Sequence, residues 1–529
     1  MPPTFTHEFD NASFKGQSFL ETGVFIDGKF ADGSDNTTID MAHTLISLRT
    51  ATGKVLCQVA EATPKDVDLA VKAAQQAFDT VWGMKAPAEN RGIVMNKLAD
   101  LMEAHVDELA ALEALDNGKP FSWAKTVDVI AAIGTIRYYA GWADKIQGKE
   151  IPSGEEKLAY TRHEPMGVVG QIIPWNFPLL MLAWKIGPAL ATGNTIVMKC
   201  SELTPLTALF MCKLSLQAGI PPGVFNLLVG YGHTVGAAIS SHMDIQKVAF
   251  TGSTLVGRKI AEAAAKSNLK NVTLELGGKS PNIVFDDCEM EQAINWTTFG
   301  IFWNQGQTCC AGSRIFVHAK IYDEFLQKFT EKIKNLKVGD PFDNAHYQGA
   351  QVSQQQYDVR SILLYHAEQR SIDSFAYYLQ RIMGYIQSGK SEGATCHIGG
   401  ERHGTEGYFI QPTIFTDCKP DMKIVREEIF GPVGVIIKFD DDDDVIRQAN
   451  DTTYGLASAI FSQNLNRAIK TANRLHAGTV WINSTNSTDF RVPFGGYKQS
   501  GMGRELGEYA LNNYTNIKAV HVNLGTEMI

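Results

Sequence analysis

The stretch from about residue 167 to 275 limits the fold most, because short apolar, β-branched runs alternate there with helical patterns. Strands are predicted in the runs GVVGQII, NTIVMK, GVFNLLVG, KVAF and NVTLEL. Helices are predicted in LLMLAWKIGPALA, in TPLTALFMCKLSLQAG, which ends at Gly219, and in TLVGRKIAEAAAK. Alternation of this kind is typical of βαβ units and of a doubly wound parallel sheet. Such a sheet binds ligands at the carboxyl ends of its strands.

The flanking segments extend this α/β pattern. Residues 64–82 and 91–118 have the spacing of amphipathic helices, and residues 278 to 500 alternate strands and helices again, which predicts a second α/β domain. The tail NNYTNIKAVHVNL alternates like a strand, whose partner is either another subunit's sheet or an edge strand of the same chain. The acidic run 440–444 is predicted to form the first turn of a helix, where carboxylates favour the helix dipole.

Composition narrows the partners and the location. A chain of 529 residues is expected to form two or three domains, and its net charge of −9 gives no reason to expect nucleic acid or an anionic membrane as a partner. No apolar run approaches the roughly 20 residues that cross a bilayer, and the N-terminus lacks a signal-peptide pattern, so a cytoplasmic location is expected. The eight cysteines form no C-x-x-C pair, and no metal centre is expected.

Several polar residues follow predicted strands and are candidates for chemistry. Glu275 ends a strand before a Gly-Gly turn, where it is either a general base or a solvated carboxylate. Asn176, between prolines in PWNFP, is either an amide donor to an oxyanion or an ordinary turn residue. The turn at Gly252 before a helix suits a phosphate or is only a tight turn. Cys309 and Cys310 lie together in FWNQGQTCCAGSR, and these residues alone do not say which thiol reacts.

Six motifs in a fixed order decide between these alternatives. The stretches PWNFP, FTGST, ELGGKSP, FWNQGQTC, EEIFGPV and PFGGYKQSG resemble the aldehyde dehydrogenase superfamily, and the similarity extends from about residue 20 to 525. Within it, the chain is most similar to NAD-linked enzymes of broad substrate range that accept acetaldehyde. The resemblance implies an α/β fold of two doubly wound parallel-sheet domains with a small β oligomerisation element. The implied bounds are 15–142 and 166–277 for the NAD-binding domain, 278–506 for the catalytic domain, and 143–165 with 507–529 for the oligomerisation element.

The resemblance also implies catalytic roles. Cys309 matches the nucleophile, which forms a thiohemiacetal and then a thioester, and Cys310 matches a neighbour that lines the pocket. Glu275 matches the general base that activates water. The side chain of Asn176 and the backbone N–H of Cys309 are expected to hold the oxyanion, with Lys185 near the active site.

Binding residues follow from the same resemblance. NAD is expected rather than NADP, because Glu202 beside Lys199 would accept hydrogen bonds from ribose hydroxyls and repel a 2′-phosphate. The cofactor-binding residues implied are Ile173, Trp175, Lys199, Glu202, Gly252, Ser253, Gln356, Glu428 and Phe430. The substrate pocket implied, apolar and aromatic and suited to short aliphatic aldehydes, is formed by Phe177, Leu180, Met181, Trp184 and Phe494.

The chain departs from close relatives at two places. The stretch STNSTDFRV before PFGG is more polar than its counterparts, which implies a more polar pocket mouth. Asn516 stands where some relatives have a glutamate used between subunits. A homodimer or homotetramer is implied, with contacts that differ from those relatives.

Residues 359–380, VRSILLYHAEQRSIDSFAYYLQ, interrupt the family pattern. Val-Arg at the start and Gln at the end fit the codons of an intron of about 66 nucleotides, three per residue, retained in the gene model. The alternative is a real surface insertion. Two rival functions stay open: a catalytically impaired structural or binding relative, and a thiol hydrolase that acts on esters without a cofactor.

Overall fold

The computed structural model describes residues 2–40, 56–353, 356 and 382–525. The anomalous segment 359–380 lies outside the described residues. Helices and strands in these ranges form two large sheets, each covered by helices, and three small antiparallel sheets.

The first large sheet has eight strands, five of them parallel, at the positions that the sequence predicts. Across the sheet the strands are Gly501–Met502, Asn271–Glu275, Lys247–Thr251, Val168–Ile172, Thr195–Cys200, Phe225–Val229, Val24–Ile26 and Lys29–Ala31. Along the chain, parallel strands are added first on one side of Val168–Ile172 and then, from Lys247–Thr251, on its other side. The carboxyl ends of these two strands therefore form a switch point, where such folds bind ligands.

Helices cover this first sheet and supply most of its core. The α-helices are Pro64–Thr80, Ala88–Ala104, Val106–Asn117, Phe121–Trp123, Ile130–Ala140, Pro178–Ala191, Leu206–Ala218, Ala237–Ser241 and Thr254–Lys266, with π-helical turns at Ala124–Val129 and Gly232–Gly236. Every residue of Pro178–Ala191 is buried. The predicted helical segment 91–118 is two helices, because the backbone leaves the helical region at His105 (φ −112°, ψ 23°).

The second large sheet has seven strands, six parallel and one antiparallel at an edge. Across the sheet they are Thr395–Ile398, Thr413–Thr416, Val433–Phe439, Arg314–His318, Pro281–Val284, Ala457–Phe461 and Thr479–Ile482. Its helices are Met290–Phe302, Tyr322–Lys334, Ile382–Ser391, Lys423–Arg426, Asp442–Asn450 and Leu465–Ala472, with 3₁₀ turns at Trp303–Gly306, Ala319–Ile321, Lys498–Ser500 and Glu508–Asn513. The acidic run begins a helix as predicted, since the Asp441 side chain accepts from the Asp444 N–H.

Three small antiparallel sheets complete the described structure. The strand Thr515–Asn523 pairs with Lys157–Pro165 of the same chain, and Glu150–Pro152 is the third strand. The tail is therefore a strand in a sheet of its own chain, and Thr515–Asn523 lies at an edge of that sheet. Pairing with another subunit's sheet stays a prediction from the sequence. The other two sheets are Thr4–Asp10 with Lys15–Glu21, and Thr38–Asp40 with Gln58–Ala60. No helix in the described ranges is long and apolar enough to cross a membrane.

Candidate active site

A cavity of about 350 Å³ opens at the carboxyl edge of the first sheet and brings most of the predicted site residues together. The predicted residues that line it are Trp175, Asn176, Phe177, Leu180, Met181, Trp184, Gly252, Ser253, Glu275, Cys309, Gln356, Glu428, Phe430 and Phe494. Four predicted residues, Ile173, Lys185, Lys199 and Glu202, do not line this cavity.

Asn176 is fixed where the strand Val168–Ile172 passes into the helix that starts at Pro178. Its side-chain amide donates to the Gln307 carbonyl at 3.0 Å, directly beside the cysteine pair. Its own carbonyl accepts from Lys119 and from Asn304, each at 3.0 Å. The amide, which is 4% exposed, therefore lines the cavity in one defined orientation.

The turn before Cys309 has an unusual backbone. Asn304, Gln305 and Gly306 all have positive φ, at 51°, 56° and 69°. Left-handed conformations in residues with a Cβ persist only where surrounding contacts hold them. Here the Gln305 side chain donates to the Ala350 carbonyl at 3.1 Å, and the Gln307 side chain accepts from the Val352 N–H at 3.0 Å.

The two thiols lie differently in this turn. Cys309 is partly exposed to the cavity, whereas Cys310 is buried, although both line it. The contact with the Cys310 thiol and burial raise the pKa of Cys309 well above its usual range. A base must therefore take the Cys309 proton before or during attack on a carbonyl. The Cys309 backbone N–H donates to no backbone carbonyl among the described residues.

Glu275 supplies a carboxylate at the end of its strand. It is 5% exposed, and its Oε2 atom has no hydrogen-bond partner in the described structure. Burial raises its pKa well above the usual range; the charge of Glu505 adds to the rise and that of Lys185 opposes it. Cys309 is close enough to raise this pKa further. The raised pKa makes the Glu275 carboxylate a stronger proton acceptor than an exposed glutamate, as a general base requires.

Lys185 lies behind the cavity rather than in its lining. Its ammonium group pairs with Glu505 at 2.6 Å and donates to the Thr251 hydroxyl at 2.8 Å. Both members of the pair are buried, at side-chain exposures of 1% and 4%. Lys185 thus acts on Glu275 through its charge, which agrees with a position near the active site.

Polar groups at the strand ends could hold a nucleotide. The Lys199 ammonium pairs with Glu202 at 3.1 Å just after the strand Thr195–Cys200. Ser253 caps the helix Thr254–Lys266, since its hydroxyl accepts from the Val256 N–H at 3.3 Å. Because a helix N-terminus at a switch point favours anions, this edge fits a pyrophosphate.

The part of the chain that forms the second large sheet contributes three of the predicted cofactor residues. Glu428 accepts from the Gly278 N–H at 3.0 Å, and burial raises its pKa to about 7. The Gln356 side chain donates to the Phe430 carbonyl at 3.1 Å. The Phe430 ring meets that of Trp175 edge-on at 5.3 Å between centroids.

Aromatic rings form part of the cavity lining. Trp184 and Phe494 lie 5.4 Å apart between centroids, and Phe177 and Trp303 lie 5.1 Å apart. Asn486 and Thr488, from the polar stretch before PFGG, also line the cavity. The predicted apolar pocket is therefore present, with polar groups in part of its lining.

The chain is similar to known proteins of one family. The family described as "Aldehyde dehydrogenase family" matches residues 39–373 and 376–520. The chain belongs to this family. An aldehyde dehydrogenase of Agaricus bisporus is 62% identical over 528 residues and is covered completely, as is this chain. The human protein named "Aldehyde dehydrogenase, mitochondrial" is 50% identical, with 95% of this chain and 92% of that protein covered.

A solved structure extends the likeness to the fold. The NAD⁺ complex of an aldehyde dehydrogenase from Bacillus cereus superimposes with a TM-score of 0.89 at 48% identity, covering 95% of this chain and 97% of that one. This similarity confirms the α/β fold class that the sequence of this chain predicts. The two matched parts of the family pattern meet between residues 373 and 376, inside the anomalous segment.

Sequence reasoning missed several residues of this aldehyde dehydrogenase site. Glu505, in the stretch GMGRE, gave no motif signal, although its pairing with Lys185 affects the electrostatics at Glu275. Trp303 lies in the stretch FWNQGQTCC, so that motif could have marked it as a candidate site residue. The cavity-lining residues without a predicted role are Pro174, Thr251, Leu276, Gly277, Trp303, Thr308, Tyr385, Ile429, Asn486 and Thr488.

Proposed function

We propose that this chain oxidises short aliphatic aldehydes, acetaldehyde among them, to carboxylic acids with NAD through a covalent intermediate on Cys309. The observation that carries the proposal is that one cavity is lined by a thiol, a buried carboxyl group and a fixed amide donor, from Cys309, Glu275 and Asn176. These three groups match nucleophilic attack, proton transfer and oxyanion stabilisation.

Cys309 forms the first bond. Its sulfur attacks the aldehyde carbon as a water molecule takes the thiol proton, and the carbonyl oxygen becomes the oxyanion of a thiohemiacetal. The Asn176 amide and the Cys309 backbone N–H donate to that oxygen. Burial of the cavity strengthens both hydrogen bonds, because water does not screen them.

NAD, when bound, would supply the hydride acceptor, and loss of hydride from the thiohemiacetal carbon would leave a thioester on Cys309. The residues expected to hold it fit a dinucleotide: the helix start at Ser253, the Lys199–Glu202 pair and the carboxylate of Glu428. The Bacillus cereus relative, described as an NAD⁺ complex, supports this assignment.

Glu275 completes the reaction. Its carboxylate takes a proton from water, which attacks the thioester carbon, and the Cys309 thiol leaves as the carboxylic acid forms. The unpaired Oε2 atom offers an acceptor for that water proton. Its raised pKa makes the carboxylate basic enough for the transfer.

Assembly and location complete the proposal. We infer a homodimer or homotetramer, which the exposed sheet edge Thr515–Asn523 supports. The domain bounds given above and a cytoplasmic location stay predictions from the sequence, and the human relative is named as a mitochondrial protein.

The test is NADH formation with acetaldehyde. The full chain, a variant lacking residues 359–380, and Cys309→Ala in each background are compared. We expect NADH formation that depends on Cys309. If only the shortened form is active, the segment is an annotation error; if both are active, it is a tolerated insertion. Binding of NAD without NADH formation in either form would favour the catalytically impaired relative, and ester hydrolysis that does not depend on NAD would favour the thiol hydrolase.

A further inference from the structure

Lys119 is a buried lysine next to the active site with no role in the reaction described above. It follows the helix Val106–Asn117 and the turn at Gly118, and its side chain is only 1% exposed. It does not line the cavity. A fully buried ammonium group destabilises the folded chain unless it is paired, so the contacts of Lys119 must offset that cost.

Its negative partners come from the same part of the chain. The ammonium group forms a hydrogen-bonded ion pair with Asp128 and lies 3.7 Å from the Glu113 carboxyl group. Both carboxyl groups are as buried as the lysine. Paired in this way, the ammonium group keeps one position rather than a choice of rotamers.

The remaining contacts of Lys119 are to the loop that holds the oxyanion donor. It donates to the Asn176 carbonyl at 3.0 Å, and its ammonium group lies 4.3 Å from the centre of the Phe177 ring. The first contact fixes the backbone from which the Asn176 amide projects. The second is a cation–π contact with a ring that lines the cavity.

Neighbours of Lys119 hold the rest of this loop. The Asn117 side chain donates to the Trp175 carbonyl at 2.7 Å, and Glu113 accepts from the Leu179 N–H at 3.4 Å. The side chains of Asn117, Lys119 and Glu113 thus bind the loop at three points in order along the chain. Lys119 binds the middle point, the Asn176 carbonyl. Asn304 also donates to the Asn176 carbonyl, so this group keeps a donor when Lys119 is removed.

We propose that Lys119 is a positioning residue for aldehyde oxidation, which holds the Asn176 amide at the oxyanion and the Phe177 ring at the cavity. This inference rests on the proposed function, because it assigns to Asn176 the oxyanion role. Displacing a reacting group by about 1 Å costs on the order of 10²-fold in rate. Since Asn304 remains, we expect Lys119→Met to lower kcat/KM for acetaldehyde by roughly 10- to 100-fold, with NAD affinity unchanged.

The matched control is Lys270→Met. Lys270 is also buried and donates to a backbone carbonyl, that of Ser240, at 2.9 Å, but it lies at the amino end of its strand, away from the cavity. Both variants are compared with wild type by kcat/KM, by fluorescence titration of NAD and by thermal unfolding. We expect both to lower Tm, and only Lys119→Met to lower kcat/KM.

A double-mutant cycle separates positioning from loss of stability. In an Asn176→Ala background the amide is absent and only the contact with Phe177 is left to lose, so Lys119→Met should lower kcat/KM by no more than about threefold. Should Lys119→Met fold poorly, Lys119→Met/Asp128→Asn removes the ammonium group and the Asp128 charge. Glu113 then takes up a proton, because burial raises its pKa to about 7 even beside Lys119, so Tm should recover while kcat/KM stays low.

Some results would overturn the role of Lys119 but not the proposed function. One is an active wild type whose kcat/KM is unchanged by Lys119→Met. Another is an equal loss of kcat/KM with and without the Asn176 side chain. A loss of rate that recovers together with Tm in the double variant would overturn it as well. A wild-type chain that forms no NADH would overturn the proposed function first, and this inference with it.

Discussion

Two walls enclose the active-site cavity, and they are built differently. The strand-end wall comprises residues 174–184, 251–253 and 275–277, which end a parallel strand, follow it directly or lie in the helix after it. The loop wall comprises residues 303–310, 428–430 and 486–494, which lie in turns and irregular segments. The walls meet where the Asn176 amide donates to the Gln307 carbonyl.

The difference lies in what fixes each wall. Strand-end residues take their positions from the sheet, whose hydrogen bonds repeat along the backbone. Loop-wall residues depend on individual side chains that bind distant backbone, such as Gln307 with Val352. A change behind the strand-end wall should therefore cost mainly stability unless, as at Lys119, the side chain binds the wall's own backbone. A change behind the loop wall should cost activity.

The two cysteines of the loop wall give the largest expected effect. Cys309→Ala removes the nucleophile and should lower kcat for NADH formation by about 10⁴-fold or more. Cys310→Ala should keep the rate within about threefold of wild type, since this thiol forms no bond to substrate. Steady-state NADH formation checks both; equal losses would contradict the assignment.

Cys310→Ala has a second expected outcome. The contact with Cys310 raises the pKa of Cys309, so removing it should lower that pKa. Alkylation of Cys309 by iodoacetamide should then begin at lower pH than in wild type. An unchanged alkylation profile would show that burial alone sets this pKa.

Glu275→Gln, in the strand-end wall, should lower kcat by about 10²- to 10⁴-fold. Because the base acts as a carboxylate and its pKa is raised, the wild-type rate should increase with pH as Glu275 loses its proton, above the range of an exposed glutamate. The variant should lack that limb of the pH–rate profile. A profile of the same shape in both proteins would exclude Glu275 as the titrating group.

Two glycines test the contrast between the walls directly. Gly306 has φ +69°, and a Cβ there would lie 2.1 Å from the Gly431 carbonyl oxygen. Gly306→Ala should therefore displace the cysteine turn and lower kcat/KM by roughly 10- to 100-fold. Gly219 has φ +89° with nothing within 4 Å of such a Cβ.

Gly219→Ala is the matched control, because it adds the same methyl group at the end of a helix that covers the first sheet. The left-handed conformation should cost about 1 kcal/mol of unfolding free energy with kcat/KM unchanged. Urea unfolding and NADH formation measure the two effects. If Gly219→Ala also lowered kcat/KM, the two walls would not differ as described.

The smallest effect is expected at Glu202. Glu202→Gln removes the negative charge beside Lys199 and should narrow the preference of NAD over NADP in kcat/KM by about tenfold, since repulsion of a 2′-phosphate is lost. Kinetics with both cofactors measure the ratio. Glu324→Gln removes the same charge from the Glu324–Lys328 pair of the helix Tyr322–Lys334 and should leave the ratio unchanged.

The contrast also explains how much could be predicted from the sequence. The parallel strands were found because their apolar runs are short and bounded by glycine and helix patterns. Glu275 and Gly252 could be placed because strand ends meet at one edge of a sheet. The break at His105 was missed, since hydrophobic spacing continues through it.

The loop wall was accessible only through the family resemblance. Nothing in the spacing of FWNQGQTCC predicts positive φ at Asn304 and Gln305, because those conformations depend on contacts with residues far along the chain. Glu505 was missed for the same reason: its partner Lys185 lies 320 residues earlier. The role of Cys309 over Cys310 came from motif likeness and not from local chemistry.

The central claim is that Cys309 carries the acyl group and Glu275 helps water to release it. The most direct measurement is peptide mass spectrometry of Glu275→Gln after incubation with NAD and acetaldehyde, with NADH counted in the same sample. The account predicts an acetyl group on Cys309 and about one NADH per active site, because the thioester forms but is hydrolysed slowly. An acetyl group on Cys310, or NADH release with Cys309 unmodified, would contradict it.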